Sequence, residues 1–175
     1  MLIRYNASTN YIIGEELSIN TKRVFIIDLH APASPYLVIE FVKIISASIY
    51  KNSIVPVITR PTGLAAQSGI PDAWRYAYKN NLSLAILPEI RDVIEIYEPE
   101  EIYIFYKSQD NIYIEDLIPR TSEGTILIIL PSGEQSITRE ELALGTKIFS
   151  KQFTKEINPL TALGILHLLL EKYHD

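Results

Sequence analysis

Short apolar runs divided by polar, proline- and glycine-bearing breaks dominate this chain, and their lengths are those of strands. Arg23 to Asp28 and Ser53 to Thr59 are rich in β-branched residues, which predicts two buried strands. Between them Leu37, Phe41, Ile44, Ile45 and Ser48 recur at helical spacing, with Ser34 as N-cap and Pro35 at the first helical position. After the break at Arg60-Pro61-Thr62-Gly63, Pro71 to Asn80 reads as helix, Leu82 to Leu87 as strand and Pro88 to Tyr97 as a short helix. Glu101 to Tyr106 and Asn111 to Leu117 alternate on either side of a polar turn, Lys107 to Asp110, and predict a hairpin. Ile126 to Leu130 is a wholly apolar strand, followed by a helix from about Thr138, a strand at Thr146 to Ser150 and a last helix from Pro159 to about Tyr173.

This alternation predicts one α/β domain over residues 23–175, a mostly parallel sheet with helices on both faces. Residues 1–22 carry a weaker pattern, in which Tyr11 to Ile13 suggests an appended edge strand or arm. A chain of 175 residues suits a single core. No apolar run approaches the ~18 residues that cross a bilayer, and Met1 to Asn10 lacks the pattern of a secretory signal. The expectation is therefore a soluble, cytoplasmic protein with no membrane partner. Cysteine is absent, which removes disulfides and thiolate chemistry, and the three histidines lack zinc-site spacing, so no metal is expected.

The net charge is −5, but it is unevenly spread. Residues 1–91 hold 9 Lys and Arg against 6 Asp and Glu, whereas residues 92–175 hold 7 against 15. Lys22, Arg23, Arg60, Arg75 and Lys79 can thus form a local basic face despite the acidic total, or be ordinary solvated charge.

Candidate chemistry gathers at strand-to-helix turns, because open α/β sheets bind ligands at the carboxyl ends of their strands. In Pro131-Ser132-Gly133-Glu134 the glycine either lets a ligand approach the backbone or simply completes a connection. Thr138 to Glu141 fits a capping box, and Asn158-Pro159 is an N-cap followed by proline. Asp28 and His30 stand at one strand end and Arg60 at the next. Trp74, with Tyr76 and Tyr78, either stacks on nucleic-acid bases or packs a helix. Leu160, Leu163, Ile165, Leu166, Leu168, Leu169 and Leu170 make the last helix apolar around most of its girth, so it needs cover on two sides, most simply from a second subunit. No GxGxxG, Walker or nucleophile-elbow motif occurs.

In their order, three segments resemble the SPOUT class of RNA methyltransferases, closest to the archaeal pseudouridine N1-methyltransferases of tRNA. They are the helix Tyr36 to Ile49 with the strand Ser53 to Thr59; the strand Ile126 to Leu130 with its glycine turn and capped helix to Glu141; and Lys147 to Ser150 with Ile157 to Leu160 and the last helix. The resemblance implies a carboxyl-terminal trefoil knot, S-adenosylmethionine as cofactor, a tRNA or rRNA substrate and a homodimer. It places the cofactor on Leu130, Pro131, Ser132, Gly133, Phe149, Ser150, Asn158, Leu160 and Thr161. Asp28 is the implied base or acceptor-orienting group, Arg60 the RNA phosphate contact, and Glu134 the loop residue beside the cofactor. Where the family tends to carry a histidine-acid pair and an arginine, this chain has Tyr50-Lys51-Asn52-Ser53, which favours a rival reading as a catalytically inactive RNA-binding or assembly module.

Overall fold

In a computed structural model, residues 23–117 and 124–170 are described, and they form an α/β sandwich built on seven strands. In chain order these are β1 (Val24–His30), β2 (Ile54–Thr59), β3 (Ala85–Leu87), β4 (Glu101–Phe105), β5 (Ile112–Tyr113), β6 (Thr125–Pro131) and β7 (Thr146–Phe149). Their spatial order is β3-β2-β1-β6-β4-β7-β5, and every pairing is parallel. The helices are α1 (Pro35–Ala47), α2 (Ile70–Lys79), α3 (Ile90–Tyr97), α4 (Arg139–Leu142) and α5 (Pro159–Leu170). The expected amino-terminal arm, and the last helix beyond Leu170, lie outside the described residues. Among the described residues no helix is long and apolar enough to cross a membrane.

Side-chain alternation along the strands divides the core in two. Phe25, Ile27 and Leu29 of β1 meet α1, α2 and α5 through Val38, Phe41, Ala73, Leu163 and Leu166. Ile26, with Ile104, Leu127 and Ile129, meets α3 on the opposite face through Ile90 and Val93. Both faces of β1 and β6 are buried, which explains their continuous apolar runs. A π-helical turn, Ala65–Gly69, leads into α2. At Gly69 an added Cβ would stand 2.9 Å from Pro35 Cα, so glycine is what lets the two helices approach so closely.

The expected hairpin is not formed. β4 lies between β6 and β7, and β5 pairs in parallel with β7. The alternation in Glu101 to Phe105 reports two buried faces, Tyr103 and Phe105 on one and Ile104 on the other, and carries no information about the partner strand.

Candidate functional site

The site is built on the carboxyl ends of β1, β2, β4, β6 and β7. β1 and β2 are each followed at once by a non-glycine residue in the left-handed region, Ala31 at φ 54° and Arg60 at φ 47°. Such strain persists only where surrounding bonds hold it. Here the Ala31 amide donates to the Thr59 carbonyl (2.9 Å) and the Arg60 amide to Leu87 (3.2 Å).

A directional hydrogen-bond chain runs across the same ends. Thr59 Oγ1 donates to Asp28 Oδ2 at 2.9 Å, and His30 Nδ1 lies 2.7 Å from Thr59 Oγ1. The single Thr59 proton is committed to Asp28, so His30 Nδ1 carries the hydrogen and Nε2 accepts from Arg60 Nη2 at 2.8 Å. Arg60 Nη2 also pairs with Glu141, and Arg60 Nε lies 3.4 Å from Glu89. Burial pushes Asp28 from the ordinary 3.8 to about 8, against the opposing pull of Thr59 and Arg60. His30 is lowered from 6.5 to about 4 by burial and then by the adjacent Arg60 charge. His30 is thus neutral near pH 7, as acceptance from Arg60 requires, and burial favours the protonated form of Asp28. Asp28 has no exposed surface. It is therefore sealed inside the sheet rather than set on a cleft wall, and the Arg60 guanidinium is engaged by three protein partners rather than free for a phosphate.

The turn after β6 is tied to this hub. The Ser132 amide donates to the His30 carbonyl (2.9 Å), and Ser132 Oγ to the Ala31 carbonyl (2.7 Å). Glu134 Oε2 accepts the Ala33 and Ser34 amides, at 2.6 and 3.0 Å, so its carboxylate caps α1 in place of the Ser34 side chain, which makes no cap bond. Gly133 stands between these anchors at φ 77°, with no atom within 4 Å of where a Cβ would be.

Three loops then enclose a cleft of about 250 Å³, near the lower end of ordinary ligand pockets (~300–1,000 Å³). Phe105, Tyr106 and Lys107 follow β4; Pro131 and Gly133 to Ile137 follow β6; Phe149, Glu156 and Ile157 come from the end of β7 and the approach to α5. β6 connects past β4 to β7, and β4 past β7 to β5, both toward the β5 edge, whereas β1 connects to β2 toward the opposite edge, so the chain reverses direction between β1 and β6, and the turn after β6 forms one wall of the cleft. The Phe105 and Phe149 rings meet at 5.2 Å, tilted by 50°. A larger concavity, about 500 Å³, lies at the amino ends of β4 and β7, around Pro99 to Tyr103 and Leu144 to Thr146. Its lining gathers no strand-to-helix turn, so the smaller cleft is the better ligand site.

Of the residues expected on the cofactor, Pro131, Gly133 and Phe149 line the cleft, as does Glu134. Leu130 and Ser132 are buried directly behind the loop, and Ser150 is buried with its hydroxyl on Glu115. Asn158 Oδ1 accepts the Leu160 amide (2.8 Å) and caps α5; with Leu160 and Thr161 it stands just past the lining residue Ile157. Phe105 to Lys107 also line the cleft, a wall that the expected hairpin, with its turn beginning at Lys107, does not provide. A parallel partner makes it a third wall. His167 Nδ1 donates to the Leu163 carbonyl within α5 (2.8 Å), away from the cleft. Among the described residues no group of three or more His, Asp or Glu is placed to hold a metal ion.

This parallel α/β sheet flanked by helices is consistent with the SPOUT fold, for solved RNA methyltransferases match it in fold. An RNA methyltransferase of Bacillus anthracis, provisionally so named, matches with TM-score 0.64 at 12% identity, over 85% of this chain and 93% of that one. The SpoU methyltransferase AviRb of Streptomyces viridochromogenes, solved with AdoMet, matches with TM-score 0.64 at 10% identity, over 89% of this chain and 62% of that one. At such identities the likeness is one of fold. The chain belongs to the family described as RecB-family nuclease (DUF2122), whose model matches residues 63–169, more than half of its length. A provisionally named type II restriction enzyme of Aeropyrum pernix is 29% identical over 143 residues, 81% of this chain and 90% of that protein.

Proposed function

We propose that this protein is an S-adenosylmethionine-dependent methyltransferase of tRNA or rRNA, with the cofactor in the carboxyl-end cleft. The observation that carries this reading is the meeting of three loops, from adjacent strands β6, β4 and β7, around the open backbone at Gly133. The residues fit such a cofactor: Phe105, Phe149 and Ile157 offer apolar surface to a purine, and Lys107 and Glu156 offer the charges opposite to its amino-acid end. The sulfonium supplies an activated methyl group. The protein's own part is to bind, orient and exclude water. Gly133 permits close approach of the main chain, and Glu134 holds the loop to α1. Asp28 and Arg60 act as positioning residues, since each is committed to the chain that fixes His30, whose carbonyl anchors Ser132. The trefoil knot belongs to the same proposal: the chain crosses β4 to form β7, and α5 returns to pack on β6 and α1.

Transfer of labelled methyl from S-adenosylmethionine to total tRNA and rRNA tests the activity. A nucleoside digest of the product tells whether the acceptor is pseudouridine N1, the target implied by the sequence resemblance. Label in RNA supports the proposal; cofactor binding without transfer leaves the inactive RNA-binding module. A second reading, cleavage of nucleic acid, is favoured by the family description and by the name of the Aeropyrum pernix relative. Magnesium-dependent cutting of DNA by a protein that does not bind S-adenosylmethionine would establish it instead.

A further inference from the structure

Helix α2 turns Ala73 and Ala77 into the core and leaves two large rings outside it. Aromatic residues at this spacing often pack a helix, but Trp74 and Tyr78 remain 55% and 72% exposed. They stack on each other instead, with ring centroids 5.8 Å apart and planes 13° from parallel. Each ring is followed in sequence by a cation, Arg75 after Trp74 and Lys79 after Tyr78. At a four-residue period this makes two adjacent stripes on the helix, one aromatic and one basic. Asp72 holds the Arg75 guanidinium on the helix surface at 2.8 Å.

Single-stranded nucleic acid presents the complementary features, flat base faces beside a line of phosphates. We propose that the outer face of α2 binds a single-stranded segment of RNA, with bases on Trp74 and Tyr78 and phosphates on Arg75 and Lys79. This rests on the RNA-methyltransferase reading and extends it beyond the reacting nucleotide. Helix α2 leads into β3, which stands four strand positions from β4, or roughly 19 Å at ~4.8 Å per strand. The platform therefore holds RNA that flanks the acceptor. A second copy of this chain is the poorer occupant, because a symmetric contact would set the two basic stripes against each other.

Trp74 is the only tryptophan in the chain, so the emission of the full-length protein reports directly on this face. The experiment is titration with an unstructured oligoribonucleotide, without S-adenosylmethionine, read by Trp74 emission and by anisotropy of the labelled RNA. Saturable quenching is expected, together with about tenfold weaker binding for Tyr78→Ala. RNA binding with unchanged emission and wild-type affinity in Tyr78→Ala would overturn the platform while leaving the RNA reading intact. No RNA binding at all would overturn both. An emission shift that follows protein concentration without RNA would replace the platform by self-association.

Discussion

Two buried titratable groups, 28 and 30 in sequence, give the molecule opposing pH dependences. Asp28 holds its proton more tightly in the folded state, so its contribution to stability is full below about pH 4 and is lost as the pH rises to about 8. His30 is depressed instead; its contribution is full above about pH 6.5 and is lost as the pH falls to about 4. Their slopes oppose between these limits, and above pH 6.5 that of Asp28 remains, at most ~1.4 kcal/mol per pH unit. Asp28→Asn should therefore abolish the decline in urea midpoint between pH 6.5 and 8 and leave a rise between pH 4 and 6.5. Unchanged curves would show Asp28 to be ionised in the fold. At Arg60, Arg60→Met should lower stability by about 2 kcal/mol, because it removes charged hydrogen bonds to His30 and Glu141. A wild-type melting curve would contradict that. The sequence marked Asp28, His30 and Arg60 as strand-end residues. It did not reveal their bonds, because Thr59 and Glu141 reach them only through the parallel register of β1 with β2 and the position of α4.

Between elements, the governing contact is Glu134 on the amino end of α1, a bond across 100 residues of chain. Serine at the N-cap, then proline, correctly announced where α1 begins, but the expected capping side chain is replaced by a carboxylate from the β6 turn. Glu134→Ala should cost about 1 kcal/mol and release the loop from α1, so hydrogen exchange at the Ala33 and Ser34 amides should rise. Unchanged protection would mean that the loop is held by Ser132 alone. β1 and β6 were legible as nearly continuous apolar runs and α1 as a periodic one. The capping box at Thr138 is formed as its spacing implies, Thr138 Oγ1 accepting the Glu141 amide at 3.2 Å. The third wall of the cleft was not legible. Local alternation at β4 is the same whether the neighbouring strand comes next in sequence or, like β7, some forty residues later.

At the scale of the whole molecule, α5 is covered on one side by its own chain, where Leu163, Leu166 and Leu170 are buried. Leu168 on the other side is 75% exposed, beside the open positions Thr161 and Gly164. We expect this outer side to form a two-fold interface, so Leu168→Glu should convert a dimer to a monomer in light scattering at micromolar concentration. A wild-type monomer at that concentration would end this expectation. The central claim concerns the cleft, and calorimetric titration with S-adenosylmethionine tests it most directly. The account predicts one cofactor per chain, with affinity at least about tenfold weaker in Gly133→Val, whose side chain is strained at φ 77° and fills the open approach. A titration of folded wild-type protein that shows no binding, or equal affinity in the folded Gly133→Val variant, would contradict it.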